Sequence, residues 1–247
     1  IDWWAQLGGG AAAVRQAYPQ AERVVVEPDE VLQARGRPLA APWWSPRRWS
    51  AQEPSALLAA DVPEAGVEMV WANMMLHACA DMAGMLALWR RALAVDGFVM
   101  FSTLGPATLQ ELRALYGQSG FGEAHAPFAD MHDIGDLLMH AGFADPVMDQ
   151  EMLTLTWSTP QAALRELHAL GGNVHPRRAA GLRTPRWRER LLRALEQRLD
   201  ADGRVALSFE LVYGHAFRPP PRARVAATTT VSLTDLRAGL SSGRATG

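Results

Sequence analysis

Short β-branched runs alternate with helical stretches through the first two thirds of this chain, and that alternation limits the fold more than any other feature. Val24-Val25-Val26 ends at Glu27, and a helical stretch runs from Pro28 to about Arg35. Val67-Glu68-Met69-Val70-Trp71-Ala72-Asn73 reads as a second buried strand. From Asp81 to Ala94 the apolar residues Met82, Met85, Leu86, Leu88, Trp89 and Leu93 recur at helical spacing. Asp96-Gly97 then turns into a third strand, Phe98-Val99-Met100-Phe101-Ser102-Thr103. Strands joined through helices lie parallel, so the pattern predicts an α/β fold with a doubly wound, mainly parallel sheet.

Residues 37–50, with Pro38, Pro42 and Pro46, read as irregular connection. Thr108–Tyr116, Asp133–Ala141 and Thr159–Leu170 read as helices, with an alternating strand at Val147–Trp157. Thr184-Pro185 joins a capping hydroxyl to a proline in the first turn, and starts a basic helix ending near Leu199. Asp202-Gly203 makes a turn before a last strand, Val205–Phe217. After Arg218 come Pro-Pro-Pro and then small and polar residues, which predicts a flexible tail over 219–247. The 247 residues therefore divide into one domain, 1–218, and that tail. The helices within about 104–145 and 158–203 are expected to form a lid over the substrate side. Ile1 opens the chain inside what reads as a strand, which predicts a further segment upstream.

In a sheet of this kind a nucleotide sits at the end of the first strand. Glycines let the backbone approach the ligand, and an acidic residue ending the next strand binds the ribose hydroxyls. The candidate loop here is Asp2-Trp3-Trp4-Ala5-Gln6-Leu7-Gly8-Gly9-Gly10, and the candidate ribose acid is Glu27, close to the expected spacing from Gly8. On its own, Gly-Gly-Gly is equally a plain helix start. Asn73 and His77 stand where the Val67–Asn73 strand opens toward a ligand, Asn73 either in the site or capping the next helix, His77 either a wall of the site or an ordinary surface histidine.

Charge and composition exclude several classes. The net charge is −2 although all 24 basic residues are arginine, which gives no reason to expect a nucleic-acid partner. Cys79 is the only cysteine, so an internal disulfide and a cysteine-rich metal site are ruled out. No histidine pair has helical ligand spacing, and no metal is expected. No segment has the length of a membrane span and no signal-peptide pattern opens the sequence, so a cytoplasmic protein is expected.

Several segments narrow the family. Asn73-Met74-Met75-Leu76-His77-Ala78-Cys79-Ala80-Asp81 and Leu88–Phe98 resemble the segments around strands four and five of S-adenosylmethionine-dependent methyltransferases. Phe101–Leu112, Met131–Leu138, Ala141–Asp149, Leu164–Asn173 and Tyr213-Gly214-His215-Ala216 resemble the malonyl-acyl-carrier-protein O-methyltransferase family of biotin synthesis. The similarity runs from about Asp2 to Arg218. It implies a class I, Rossmann-like sheet of the seven-stranded type with a helical lid, S-adenosylmethionine as cofactor, and a malonyl group on acyl carrier protein as acceptor. It further implies cofactor contacts at Asp2, Gly8, Glu27, Asn73 and His77. An adenine contact would fall at Gln52 or Glu53. His175, Arg177, Arg178 and Arg183 become substrate-side candidates, within an arginine group that either steers an acidic carrier or forms a solvated helix face.

The same register places two of the family's three loop glycines on Trp4 and Gln6, and keeps only Gly8. An indole and a Cβ then stand where bare backbone meets the cofactor. Strand alternation turns at most one of Trp3 and Trp4 inward. Two alternatives to an active enzyme follow: a pseudo-methyltransferase acting as a binding or assembly factor, and a relative of the arginine-hydroxylating complex I assembly factor.

Overall fold

The computed structural model describes residues 1–5, 10–36, 56–179 and 181–221. The chain forms β1 (Asp2–Trp3), α1 (Ala11–Ala17), β2 (Val25–Glu27), α2 (Glu30–Gly36) and β3 (Ala56–Leu58). It continues through β4 (Val67–Asn73), α3 (Met82–Ala92), β5 (Leu93–Leu104), α4 (Gln110–Ser119) and α5 (Met131–His140). β6 (Ala144–Trp157), α6 (Pro160–Leu170), α7 (Pro185–Glu196) and β7 (Val205–Phe217) complete it. The segment predicted as irregular, 37–50, and most of the tail, 222–247, lie outside the described residues.

The seven strands form one sheet in the order β3-β2-β1-β4-β5-β7-β6. The first five are parallel, while β7 runs antiparallel to both β5 and β6. The expected doubly wound sheet is therefore present. The order reverses at β1 and β4, so the loops leaving these two strands part and open a crevice at their carboxyl ends.

Local chemistry sets the helix starts. Asp81 caps α3, its carboxylate accepting from the Gly84 N–H at 2.9 Å. Thr184 caps α7 by accepting from the Trp187 N–H at 3.2 Å, with Pro185 in the first turn as its sequence predicts. β5 begins before the Asp96-Gly97 turn, because Val67 pairs with Leu93 and the register shifts across that turn.

Two apolar clusters hold these layers. Trp3, Val26, Val70, Leu86, Trp89, Val99, Phe101, Ile134 and Leu138 pack the sheet against α3 and α5. Trp3 and Trp89 meet edge to face, with ring centroids 6.3 Å apart. The second cluster gathers Leu112, Leu115, Phe121, Trp157, Ala163, Leu191, Leu195 and Leu207, so α4, α6 and α7 share a core with the ends of β6 and β7. Among the described residues, no helix is long and apolar enough to cross a membrane.

Candidate active site

The crevice at the carboxyl end of the sheet gathers the residues that sequence places in a cofactor site. Asp2 and Glu27 are both buried, in β1 and at the end of β2. Asp2 also has a partner within the fold. Its carboxylate is clasped by Arg23, whose Nε lies 3.1 Å from Oδ2 and whose Nη2 is closer still. Arg23 lies on the approach to β2, and its partner, 21 residues earlier in β1, is not visible from sequence spacing.

Trp3 is fully buried, as alternation requires of one of the pair. Trp4 nevertheless packs against the same core. The backbone explains it: Trp4 has φ +51, in the left-handed region, so the chain leaves the strand there and alternation stops applying. Its N–H still donates to the Val26 carbonyl at 2.6 Å. A left-handed tryptophan costs about 1–2 kcal/mol that a glycine would not. The family-derived glycine position is thus one where the backbone does adopt a glycine-like conformation. Gly8 and Gln6 lie outside the described residues, as do Gln52 and Glu53.

Gly10 caps α1 against β4. A Cβ on it would sit 2.7 Å from Trp71 Nε1 and 3.6 Å from Asn73 Nδ2, so only glycine lets the helix start close over the strand end. Asn73 caps no helix. Its Oδ1 accepts from Ser102 Oγ at 2.7 Å, and Ser102 in turn receives the Met74 N–H at its carbonyl and hydroxyl oxygens. His77 stands beside them, Nδ1 3.4 Å from the buried Thr103 hydroxyl. Burial holds the His77 ring below its ordinary pKa and favours the neutral imidazole. Asn73 and Ser102 thus join the ends of β4 and β5 on one face, while His77 meets Thr103, the next residue of β5, whose side chain leaves the other face.

The substrate-side candidates lie in a strap, residues 171–179, and at the approach to α7. His175 is buried, and its Nδ1 accepts the Arg177 N–H at 2.9 Å. Arg177 pairs with Glu123 at 3.1 Å, and Arg178 donates to the His175 carbonyl at 3.3 Å. Arg183 donates to the Phe121 carbonyl at 3.0 Å while its guanidinium covers the Trp187 ring. Arg190 and Arg198 reach Ser119 and Gln118. Much of the arginine group thus closes around the C-terminal end of α4, where carbonyls without helical partners attract cations. Arg186 and Arg188 are exposed and make no hydrogen bond or ion pair among the described residues. No group of metal-binding side chains occurs among the described residues.

Comparison with known proteins gives this arrangement a family. No family model matches the chain. It is 38% identical over 231 residues to the malonyl-acyl-carrier-protein O-methyltransferase of Laribacter hongkongensis, covering 91% of this chain and 77% of that protein. The Halorhodospira halophila protein of the same name is 36% identical over 219 residues, covering 88% and 73%. This chain belongs to the malonyl-acyl-carrier-protein O-methyltransferase family. A shorter alignment to the family member of Gallionella capsiferriformans is 43% identical over 157 residues and covers 54% of that protein. Among solved structures, the YcgJ protein of Bacillus subtilis superposes with a TM-score of 0.57 at 9% identity, covering 89% of this chain and 91% of that one. A putative methyltransferase of Bacillus halodurans gives 0.56 at 14%, with the same coverage. At such identities the superpositions speak for the fold alone.

Proposed function

We propose that this member of the malonyl-acyl-carrier-protein O-methyltransferase family methylates the free carboxylate of a malonyl group carried on acyl carrier protein, with S-adenosylmethionine as donor. The observation that carries the reading is the placement of Glu27 and the Asn73–Ser102 pair on either side of the strand-order reversal, where the glycine-tight start of α1 also comes down.

The crevice fits the donor in three respects. Glu27, ending β2, is suited to accept the ribose hydroxyls. Gly10 keeps the helix start free of a side chain, and Trp4 is laid on the core. When bound, S-adenosylmethionine supplies a methyl group on a positively charged sulfur. The acceptor carboxylate is its own nucleophile: a carboxylate oxygen bonds to the methyl carbon as the carbon–sulfur bond breaks. Opposite charges are consumed and no proton moves, so no general base is needed. The chain's task is to align the two reactants and keep water out. Asn73 and His77 flank the place where the two meet. Asp2, held by Arg23, anchors β1 beside β2.

Within the arginine group, Arg186 and Arg188 are the guanidinium groups left for an acidic carrier protein. Exposed charge of one sign raises the encounter rate with a partner of the other. Calorimetry with S-adenosylhomocysteine, followed by a methylation assay on malonyl-acyl carrier protein, tests the reading. Micromolar binding and an ester product are expected. Binding that appears only after Trp4→Gly would identify a pseudo-methyltransferase instead.

A further inference from the structure

The loop between α4 and α5 carries a histidine that the reaction as described leaves unused. His125 Nδ1 lies 2.7 Å from the Ala126 carbonyl oxygen. A carbonyl can only accept, so Nδ1 bears the proton, and the neutral ring keeps Nε2 as a bare acceptor. Nε2 is shut off from solvent and has no hydrogen-bond partner among the described residues. Buried polar atoms are rarely left so, and each such atom calls for a reason.

Ring contacts through Phe128 link His125 to His77 at the crevice. His125 stacks on Phe128, with centroids 5.0 Å apart and planes 18° apart. Phe128 meets His77 edge on at 5.9 Å. Phe128 therefore lies between the His125 and His77 rings. Beside its loop a cavity of about 410 Å³ is lined by Arg113, Tyr116, Gly122, Glu123 and Ala124. The charges that act on the ring are Arg113 from α4, His175 from the strap and Glu123 from its own loop. Burial is the largest influence and keeps the ring neutral. Arg113 and His175 push the same way, against the Ala126 carbonyl and Glu123.

We propose that His125 Nε2 receives one oxygen of the malonyl carboxylate and takes up a proton from solvent as that anion docks. The inference rests on the acceptor reading above and adds to it the group that recognises the reacting end. An arriving carboxylate supplies the counter-charge that a half-buried imidazolium needs, with Arg113 near it as a second cation. The other carboxylate oxygen attacks the methyl carbon, and the sulfonium leaves as a thioether. The product is a neutral ester, so the imidazolium loses its counter-charge and returns its proton to solvent. Its grip on the acceptor then weakens once the chemistry is done.

The test is calorimetry of malonyl-coenzyme A binding to the full chain with S-adenosylhomocysteine present, at pH 7.5 in phosphate and in Tris. The difference in heat between the buffers reports protons taken up. Wild type should take up close to one proton. His125→Gln, which can donate a hydrogen bond but cannot be protonated, should take up none and bind about ten-fold more weakly. His175→Gln should leave the uptake unchanged. Absence of uptake by wild type, or undiminished uptake by His125→Gln, overturns the proposal. Nitrogen NMR of wild type provides a second readout, independent of whether the variant folds. The His125 Nε2 signal must move to the protonated position when malonyl-coenzyme A is added, and a stationary signal also overturns the proposal. If malonyl-acyl carrier protein is methylated while these signs are missing, only the role of His125 falls. If it is not methylated, the acceptor reading falls as well.

Discussion

The guanidinium of Arg23 closes on the carboxylate of Asp2, Nε to Oδ2 at 3.1 Å, and ties the chain just before β2 to the strand that opens the sheet. Both side chains are largely buried, at 19% and 5% exposure. Removing one partner would strand the other's charge. Arg23→Met should therefore destabilise the protein by about 3 kcal/mol, with Asp2→Asn/Arg23→Met recovering much of the loss. Urea unfolding of the two variants checks this; equal losses would mean the pair is not coupled.

Trp4 offers a cleaner test of its backbone. At most strand ends alanine is preferred to glycine. Here φ is +51, so the order should reverse, with Trp4→Gly more stable than Trp4→Ala by about 1 kcal/mol. Both variants lose the same indole, so packing cancels in the comparison. Thermal unfolding with the alanine variant ahead would contradict the left-handed conformation.

Gly214 gives the Tyr213-Gly214-His215-Ala216 segment its reason. It pairs with Phe101 across β5 and β7, and a Cβ on it would clash with the Phe101 ring. Gly214→Ala is expected to cost about 1–3 kcal/mol through overpacking. Gly214→Ala/Phe101→Leu should regain part of that cost, as read by denaturant midpoint.

Acid should weaken the fold before any carboxylate titrates. His77 and His125 are both held below their ordinary pKa, chiefly by burial. The unfolded chain then binds more protons than the folded one as pH falls through about 6.5, so stability present above that value is lost below it. The urea midpoint should drop between pH 7.5 and 5.5, and drop less in His77→Gln/His125→Gln. A midpoint that rises on acidification would refute the assignment.

Arg186→Glu/Arg188→Glu should slow association with malonyl-acyl carrier protein about ten-fold at low salt while leaving malonyl-coenzyme A turnover unchanged. Stopped-flow association at two ionic strengths separates this steering from damage to the site. An unaltered on-rate would move the docking surface elsewhere.

Much of this was legible before any coordinates. Val67–Asn73 and Val205–Phe217 appear with the bounds their sequence predicts, because long buried strands are uniformly apolar or alternate cleanly. Thr184-Pro185 starts α7 as read, since capping depends on neighbours alone. Ala56–Leu58 escaped notice: three residues carry no periodicity, and only pairing with β2 makes them a strand. Around the candidate site, the positions of Glu27 and Asn73 at the ends of β2 and β4 follow from sequence, because strand ends are visible there. The significance of Arg23 and His125 does not, because it comes from contacts across the fold. The arginine group shows the reverse limit. Its charge was plain, but the sequence did not reveal that Arg183, Arg190 and Arg198 are spent on the end of α4.

The antiparallel seat of β7 between β5 and β6 also governs how this protein comes off the ribosome. The five parallel strands can emerge and align early, yet the flank of β5 stays raw until Phe217 has left the exit tunnel. Through that interval the nascent sheet offers an open, apolar edge to any neighbouring chain. Loss of the last thirteen-residue strand would remove little of the crevice itself and still make that exposed state permanent.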